Sequence, residues 1–170
     1  MSAFGRMPAF VLVCAFACLM GRSVAQENDL AAAARVLGPN WKQISRKAGQ
    51  VFIGTVLRVE AHRAQRGSPV PTVEMKLHVD LAIAGARKGT NVTVREWEGA
   101  WSGHRALRSG EHVLLLLYPA SRLGLTSPVG GTGEVSLDAR GEIDLQHHVS
   151  VAQLTRAIRS ARGDYFHSNQ

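Results

Sequence analysis

The sequence predicts an all-β (mainly β) fold, in which an antiparallel sheet curls into a small barrel or a sandwich between an N-terminal helical extension and a C-terminal helix. Two observations predict it. Segments of β type follow one another from Gln50 onward, and turns rich in Gly and Pro separate them where an α/β fold would place helices. Closure of the sheet would also remove its exposed edges.

The most regular segment is Val73–Ile83, in which apolar and polar residues alternate throughout. The strand that begins at Gln50 is apolar on both faces at its start, so we expect it to begin deep in the core. Gly54 within it predicts a bulge or a close backbone approach. The further predicted strands are Asn91–Trp97, Glu111–Tyr118, Gly124–Val129, Glu134–Leu137 and Glu142–Leu145.

Helices are predicted at both ends of this region. Good helix formers at Leu30–Leu37 are followed by a break and by a second short helix at Trp41–Ala48, with Asn40 as its cap. Near the C-terminus, Ser150 and Gln153 form a capping-box pattern, and Gly163 marks the end of the helix.

The first 25 residues have the three parts of a secretory signal peptide. Arg6 precedes the apolar run Pro8–Met20, and small residues at Ser23 and Ala25 predict cleavage after Ala25. The run is shorter than the roughly 20 residues that cross a bilayer. We therefore expect a secreted or periplasmic protein with no membrane span after signal removal.

The expected organisation follows from these boundaries. It comprises a signal peptide (1–25), a helical extension (26–49), a β-barrel domain (50–146), a C-terminal helix (147–163) and a disordered tail (164–170). Both cysteines, Cys14 and Cys18, lie in the signal peptide, so the mature domain is expected to fold without disulfides.

The basic residues are scattered rather than clustered. Loss of Arg6 and Arg22 with the leader lowers the net charge from +7 to +5. Arg156, Arg159 and Arg162 fall on one face of the C-terminal helix, which predicts solubility and loose attraction to anionic envelope polymers. Nucleic-acid binding would require a dense basic patch with interleaved aromatic residues, so no nucleic-acid partner is expected.

The order of segments resembles a group of uncharacterised secreted bacterial proteins, which are distantly similar to the netrin-like domain of tissue inhibitors of metalloproteinases. The resemblance covers roughly Gln50–Leu145 and is carried by segments that include Gln50–Val56, Arg95–Trp101 and Tyr118–Gly131. It implies a closed five-stranded antiparallel barrel of the OB type. The inhibitors chelate zinc through an N-terminal cysteine, whereas the expected mature chain begins with Gln26, so no residue here inherits that mechanism.

The sequence predicts no catalytic residues, no cofactor and no metal site. Seven histidines lack ligand spacing, although His104 and His112 flank one loop. Ser102 beside His104 is the one local grouping for a hydrolase. Glu96 and Glu98 share a strand face and are expected to form a solvated edge, since paired catalytic acids require burial.

Aromatic residues provide the best candidate binding surface. Trp97 and Trp101 bracket a short loop, and Arg95, Arg105 and Tyr118 lie near them in the sequence or in the expected sheet. Such residues can form a stacking platform for sugar rings or for side chains of a partner. The alternative is that one or both tryptophans fill the end of the barrel as core residues.

The expected function is that of an exported, non-enzymatic binding module whose partner is an envelope or secreted protein, with a protease conceivable. The first alternative is a secreted protease inhibitor or protease-associated domain, which rests on fold analogy. The second is a small hydrolase that uses Ser102 and His104. The sequence leaves the oligomeric state open.

Overall fold

The computed structural model describes residues 25–64, 70–100, 107–138, 142–144 and 149–163. The predicted signal peptide before residue 25 and the predicted tail at 164–170 lie outside these ranges. Helix α1 occupies 25–37 of the described chain. The other helices are α2 (Trp41–Lys47) and α3 (Val151–Arg162), and the strands are β1 (Gln50–His62), β2 (Thr72–Ala84), β3 (Asn91–Trp97), β4 (His112–Leu117), β5 (Glu134–Leu137), β6 (Glu142–Asp144) and β7 (Val149–Ser150).

Five strands form one antiparallel sheet in the order β3-β2-β1-β4-β5, and β6 pairs with β7 separately. The predicted mainly β class with flanking helices is therefore confirmed. The closed barrel is not shown, because β3 and β5, at the two ends of the sheet, share no ladder among the described residues. Within the same ranges, no helix combines the length and the apolar composition needed to span a bilayer.

Strand β1 separates two hydrophobic clusters because alternate side chains of a strand point to opposite faces. Val51 and Ile53 face the helix-side core, where the three helices cover the sheet, whereas Phe52 and Val56 face the inner core on the other side. Strand β4 divides its leucines in the same way. This explains why both strands are apolar on both faces where they pair.

The predicted close approach at Gly54 is confirmed. The β1–β2 register shifts between Ile53 and Gly54, and a Cβ added at Gly54 would lie 2.5 Å from the carbonyl oxygen of His78. Real Cβ contacts are not this short, so the neighbouring strand can approach here only because residue 54 is glycine.

The strand predicted at Gly124–Val129 is wrong. This segment is a loop in which Pro128 makes one isolated bridge to Leu117, and it is followed by a 3₁₀ turn at Val129–Gly131. Gly124 has φ of +71° and Val129 already belongs to the 3₁₀ turn, so the backbone leaves the extended conformation at both ends of the segment. The segment is nevertheless tied to the sheet, since Thr126 N donates a 2.8 Å hydrogen bond to Arg95 O at the far edge.

The predicted ends of the helices are confirmed at α3 and corrected at α2. Ser150 and Gln153 make the reciprocal capping box, and Gly163 has the left-handed conformation of a C-cap. Asn40 occupies the N-cap position of α2, but its side chain makes no capping hydrogen bond.

The three arginines of α3, expected to give solubility and loose attraction to anionic polymers, also fasten the helix to the rest of the fold. Arg156 binds Asp29 of α1, and Arg159 donates to the carbonyl of Ala82. Arg162 donates to the carbonyls of Ser45 and Ala48, at 2.6 and 2.7 Å, where α2 ends and its carbonyls lack helical partners.

Candidate functional site

The candidate site lies on the solvent-facing side of strands β2 and β3, opposite the inner core. We call it the β2–β3 face and define it by five side chains. These are Glu74, Lys76, Thr93, Arg95 and Trp97. Alternation places them together, since Met75, Leu77 and Val94 between them point into the inner core.

Trp97 is a surface residue. Its relative exposure is 53%, and it stands at the end of β3, opposite Thr72 of β2. The ring lies against the backbone of Gly99, where an added Cβ would come within 2.6 Å of the indole. Glycine at position 99 therefore lets the indole approach the following 3₁₀ turn, Glu98–Ala100, more closely than a residue with a Cβ would allow. The alternative in which Trp97 fills the core therefore does not hold.

Arg95 stands one pleat from Trp97 and binds Glu74 on the neighbouring strand. Its Nη2 and Nε donate to the same carboxylate oxygen, Glu74 Oε2, at 2.7 and 3.2 Å. The hydrogen bond from Arg95, reinforced by its charge, lowers the pKa of Glu74 against the opposing effect of partial burial. On β1, Arg58 and Glu60 form a second ion pair beside the first.

Tyr118 belongs to a different surface. Its backbone is linked to Arg95 through Thr126, whose hydroxyl donates to Tyr118 O while its amide donates to Arg95 O. Tyr118 instead lines a cleft beside α2. The structure thus brings Arg95 and Trp97 together but separates Tyr118 from them. Trp101 and Arg105, the other predicted members of the site, lie outside the described residues.

Glu96 corrects the expectation of a solvated pair of acids. Glu96 is 2% exposed on the inner face of β3, whereas Glu98 is exposed in the 3₁₀ turn that follows. The two carboxylates differ because β3 ends at Trp97, between them. Extended backbone at Glu98 would have placed both carboxylates on one face, but the chain turns before that residue.

One polar cluster was missed by sequence reasoning. Thr55 Oγ1 donates to Asp80 Oδ2 at 2.7 Å and lies 3.2 Å from His112 Nδ1, across three adjacent strands. The same Nδ1 lies 3.7 Å from Asp80 Oδ2. In a catalytic triad, the two imidazole nitrogens serve the nucleophile and the acid separately. Here one nitrogen faces both groups, so this arrangement is not a relay.

The other chemical predictions concern residues beyond the described ranges. Ser102 and His104, the basis of the hydrolase alternative, lie outside them. Among the residues that the structure describes, no three His, Cys, Asp or Glu side chains lie close enough to hold a metal ion together.

No protein-family model matches the chain, and no curated protein matches it either.

Proposed function

We propose that this chain is an exported, non-enzymatic binding module that holds a protein partner against the β2–β3 face. The observation that carries the proposal is the 53% exposure of Trp97, whose ring nevertheless packs closely against Gly99. A large aromatic side chain that is already oriented loses little conformational entropy on binding, and tryptophan and arginine are enriched among the residues that dominate interface energies.

The charges on this face favour a protein over a phosphate-rich partner. The guanidinium of Arg95 is paired with Glu74, and that of Arg58 is paired with Glu60. Lys76 is therefore the cation by which the positive charges exceed the negative charges on this part of the sheet. A nucleic-acid surface would instead present a row of cations available to phosphates. A mixed-charge surface around one aromatic residue is typical of the polar rim and buried centre of a protein interface.

The barrel interpretation supports the choice of face. We propose that the five strands form an OB-type barrel that is incompletely closed between β3 and β5, with the Thr126–Arg95 hydrogen bond as a bridge across the gap. OB-type folds are five-stranded and partly open, and they bind their ligands on the face of strands 2 and 3 and the adjoining loops. The resemblance to netrin-like domains agrees with this proposal, and export rests on the leader sequence.

Site-specific photo-crosslinking tests the binding function. A photoreactive amino acid at Lys76, on the β2–β3 face, is compared with the same amino acid at Ala152, an exposed position of α3. Both proteins are incubated with secreted and envelope fractions of the producing organism. We expect one discrete crosslinked protein from position 76 and none from position 152. Equal or diffuse crosslinking from the two positions would contradict a specific binding face. A crosslinked peptidase would support the protease-inhibitor alternative.

A further inference from the structure

A cleft of about 240 Å³ separates α2 from the turn at Val129–Thr132 and from Tyr118. Its floor is apolar, because Leu37, Ile44 and Val129, all nearly buried, supply it. Sites for drug-sized ligands usually measure roughly 300–1,000 Å³, so this one suits a smaller molecule.

Polar side chains surround this floor. Asn40, Gln43 and Lys47 line the cleft from one face of α2, since they are spaced by three and four residues, and Tyr118 lies on the opposite wall. Within the described part of the chain, none of these four side chains makes a hydrogen bond or an ion pair. An apolar floor with a few converging polar groups is the composition of a small-molecule site.

The charge of the residues that line the cleft favours an anionic ligand. Among its described lining residues, Lys47 is the one charged side chain. The sequence of α2, Trp41–Lys47, contains two lysines and an arginine and no acidic residue. The cation of Lys47 is thus not neutralised by a carboxylate of the same helix, and a bound anion would not be repelled by one.

We propose that this cleft binds a small organic acid, a monocarboxylate with a short apolar chain. The carboxylate accepts hydrogen bonds from Lys47 Nζ and the Tyr118 hydroxyl, and the apolar chain lies over Ile44 and Val129. Gln43 offers an amide to the second carboxylate oxygen. This site is separate from the β2–β3 face, so each of the two proposals can be correct or wrong without the other.

Titration followed by amide NMR shifts tests this site with three probes: hexanoate, hexylammonium and acetate. Hexanoate should shift the amides of Gln43, Lys47 and Thr132 and saturate. Hexylammonium, which has the wrong charge, should bind about tenfold more weakly, as expected for loss of one charged hydrogen bond. Acetate, which lacks the chain, should bind at least about 100-fold more weakly, as expected for loss of about four buried methylenes.

Two lysine variants locate the carboxylate. Lys47→Met should weaken hexanoate binding about tenfold. Lys42→Met is the matched control, because Lys42 lies on the same helix but stands over the Trp41 ring and does not line the cleft. It should leave hexanoate affinity within about twofold, since a distant surface charge is screened. Thermal unfolding of both variants verifies that they are folded.

Three results would overturn the proposal: shifts that do not saturate with hexanoate, equal binding of hexylammonium, or a Lys47→Met protein that binds hexanoate as tightly as the parent. The last result would mean that Lys47 does not bind the carboxylate, and the proposed site would then be wrong even if Tyr118→Phe weakened binding.

Discussion

Arg156 of α3 binds Asp29 of α1 through two parallel hydrogen bonds, from Nε to Oδ2 and from Nη2 to Oδ1, each 2.8 Å long. The pair joins the first and last helices of the described chain. Its partners differ in their access to water: the Asp29 side chain is 9% exposed and that of Arg156 is 52% exposed. The two halves of the pair should therefore respond differently to substitution.

The first prediction is that loss of the arginine is more harmful than loss of the carboxylate charge. Arg156→Met leaves the buried Asp29 carboxylate without its charged partner and should lower the free energy of unfolding by about 2–3 kcal/mol. Asp29→Asn leaves an arginine that water can solvate and should cost about 1 kcal/mol. Denaturant unfolding of both variants and the double variant measures the difference. Equal losses would mean that the pair behaves as an ordinary surface ion pair.

The second prediction concerns the link between α2 and α3, where each helix carries an arginine that binds the end of the other. Arg162 binds two carbonyls at the end of α2, whereas Arg46 Nε binds one carbonyl, Ala161 O. Arg162→Met should therefore cost about 1–2 kcal/mol of unfolding free energy, and the exposed Arg46→Met less than about 1 kcal/mol. The reverse order would show that these end contacts do not hold the helices together.

The third prediction tests the close approach of β1 and β2. Gly54→Ala places a methyl group against backbone, not against a flexible side chain, so it should cost more than about 2 kcal/mol. Gly110→Ala provides the comparison, because position 110 has φ of +89° but open space around it, and should cost only the left-handed strain of about 1–2 kcal/mol. A Gly54→Ala protein as stable as the parent would contradict the strand approach.

Much of the sheet could be predicted because each strand carries its own local pattern. The observed β2 extends the predicted segment Val73–Ile83 by one residue at each end, but Val79 packs in the inner core whereas Leu81 and Ile83 pack in the helix-side core. The alternation is thus interrupted at the register shift beside Gly54. The strand at Asn91–Trp97 was predicted with its observed bounds. The predicted strand at Gly124–Val129 failed because the positive φ of Gly124 and the bond from Thr126 to the far edge depend on the surrounding fold.

The candidate site was predicted in part for the same reason. Period-two alternation sufficed to place Arg95 and Trp97 on one face, but the close packing of the Trp97 ring on Gly99 depends on the turn after β3. The cluster of Thr55, Asp80 and His112 comes from three strands that are distant in sequence. No local pattern joins such residues, since the pairing of the strands must be known first.

The fourth prediction concerns pH. Because the pKa of Glu74 is lower in the folded protein than in the unfolded chain, its carboxylate stabilises the fold above about pH 4.3, and this stabilisation is lost as the pH falls through the folded pKa. Glu74→Gln should cost less than about 1 kcal/mol at pH 7, since the pair is exposed to solvent, and this cost should shrink as the pH falls through the folded pKa of Glu74.

Arg95 provides the control for this pH effect. In an Arg95→Met background, Glu74→Gln should change the free energy of unfolding by a nearly constant amount between pH 3 and pH 7, because the hydrogen bond that lowers the pKa is absent. If the effect of Glu74→Gln on the free energy of unfolding still depends on pH in this background, a group other than Arg95 lowers the pKa of Glu74.

The fifth prediction compares the two tryptophans that the structure describes. Trp41 is 4% exposed in the helix-side core, and Trp97 is 53% exposed on the β2–β3 face. Trp41→Ala should lower the free energy of unfolding by about 3–5 kcal/mol, as for other buried aromatic residues. Trp97→Ala should cost about 1 kcal/mol, for the contact with Gly99 that it loses.

The most direct test of the binding proposal is the yield of crosslinked partner from a photoreactive amino acid at position 76 in the Trp97→Ala protein. The free energy of unfolding is determined on the same sample. The binding proposal predicts that the yield falls at least about tenfold, as for loss of a dominant interface residue, while the protein stays folded. An unchanged yield from a folded Trp97→Ala protein, or a loss of stability as large as that of Trp41→Ala, would contradict it.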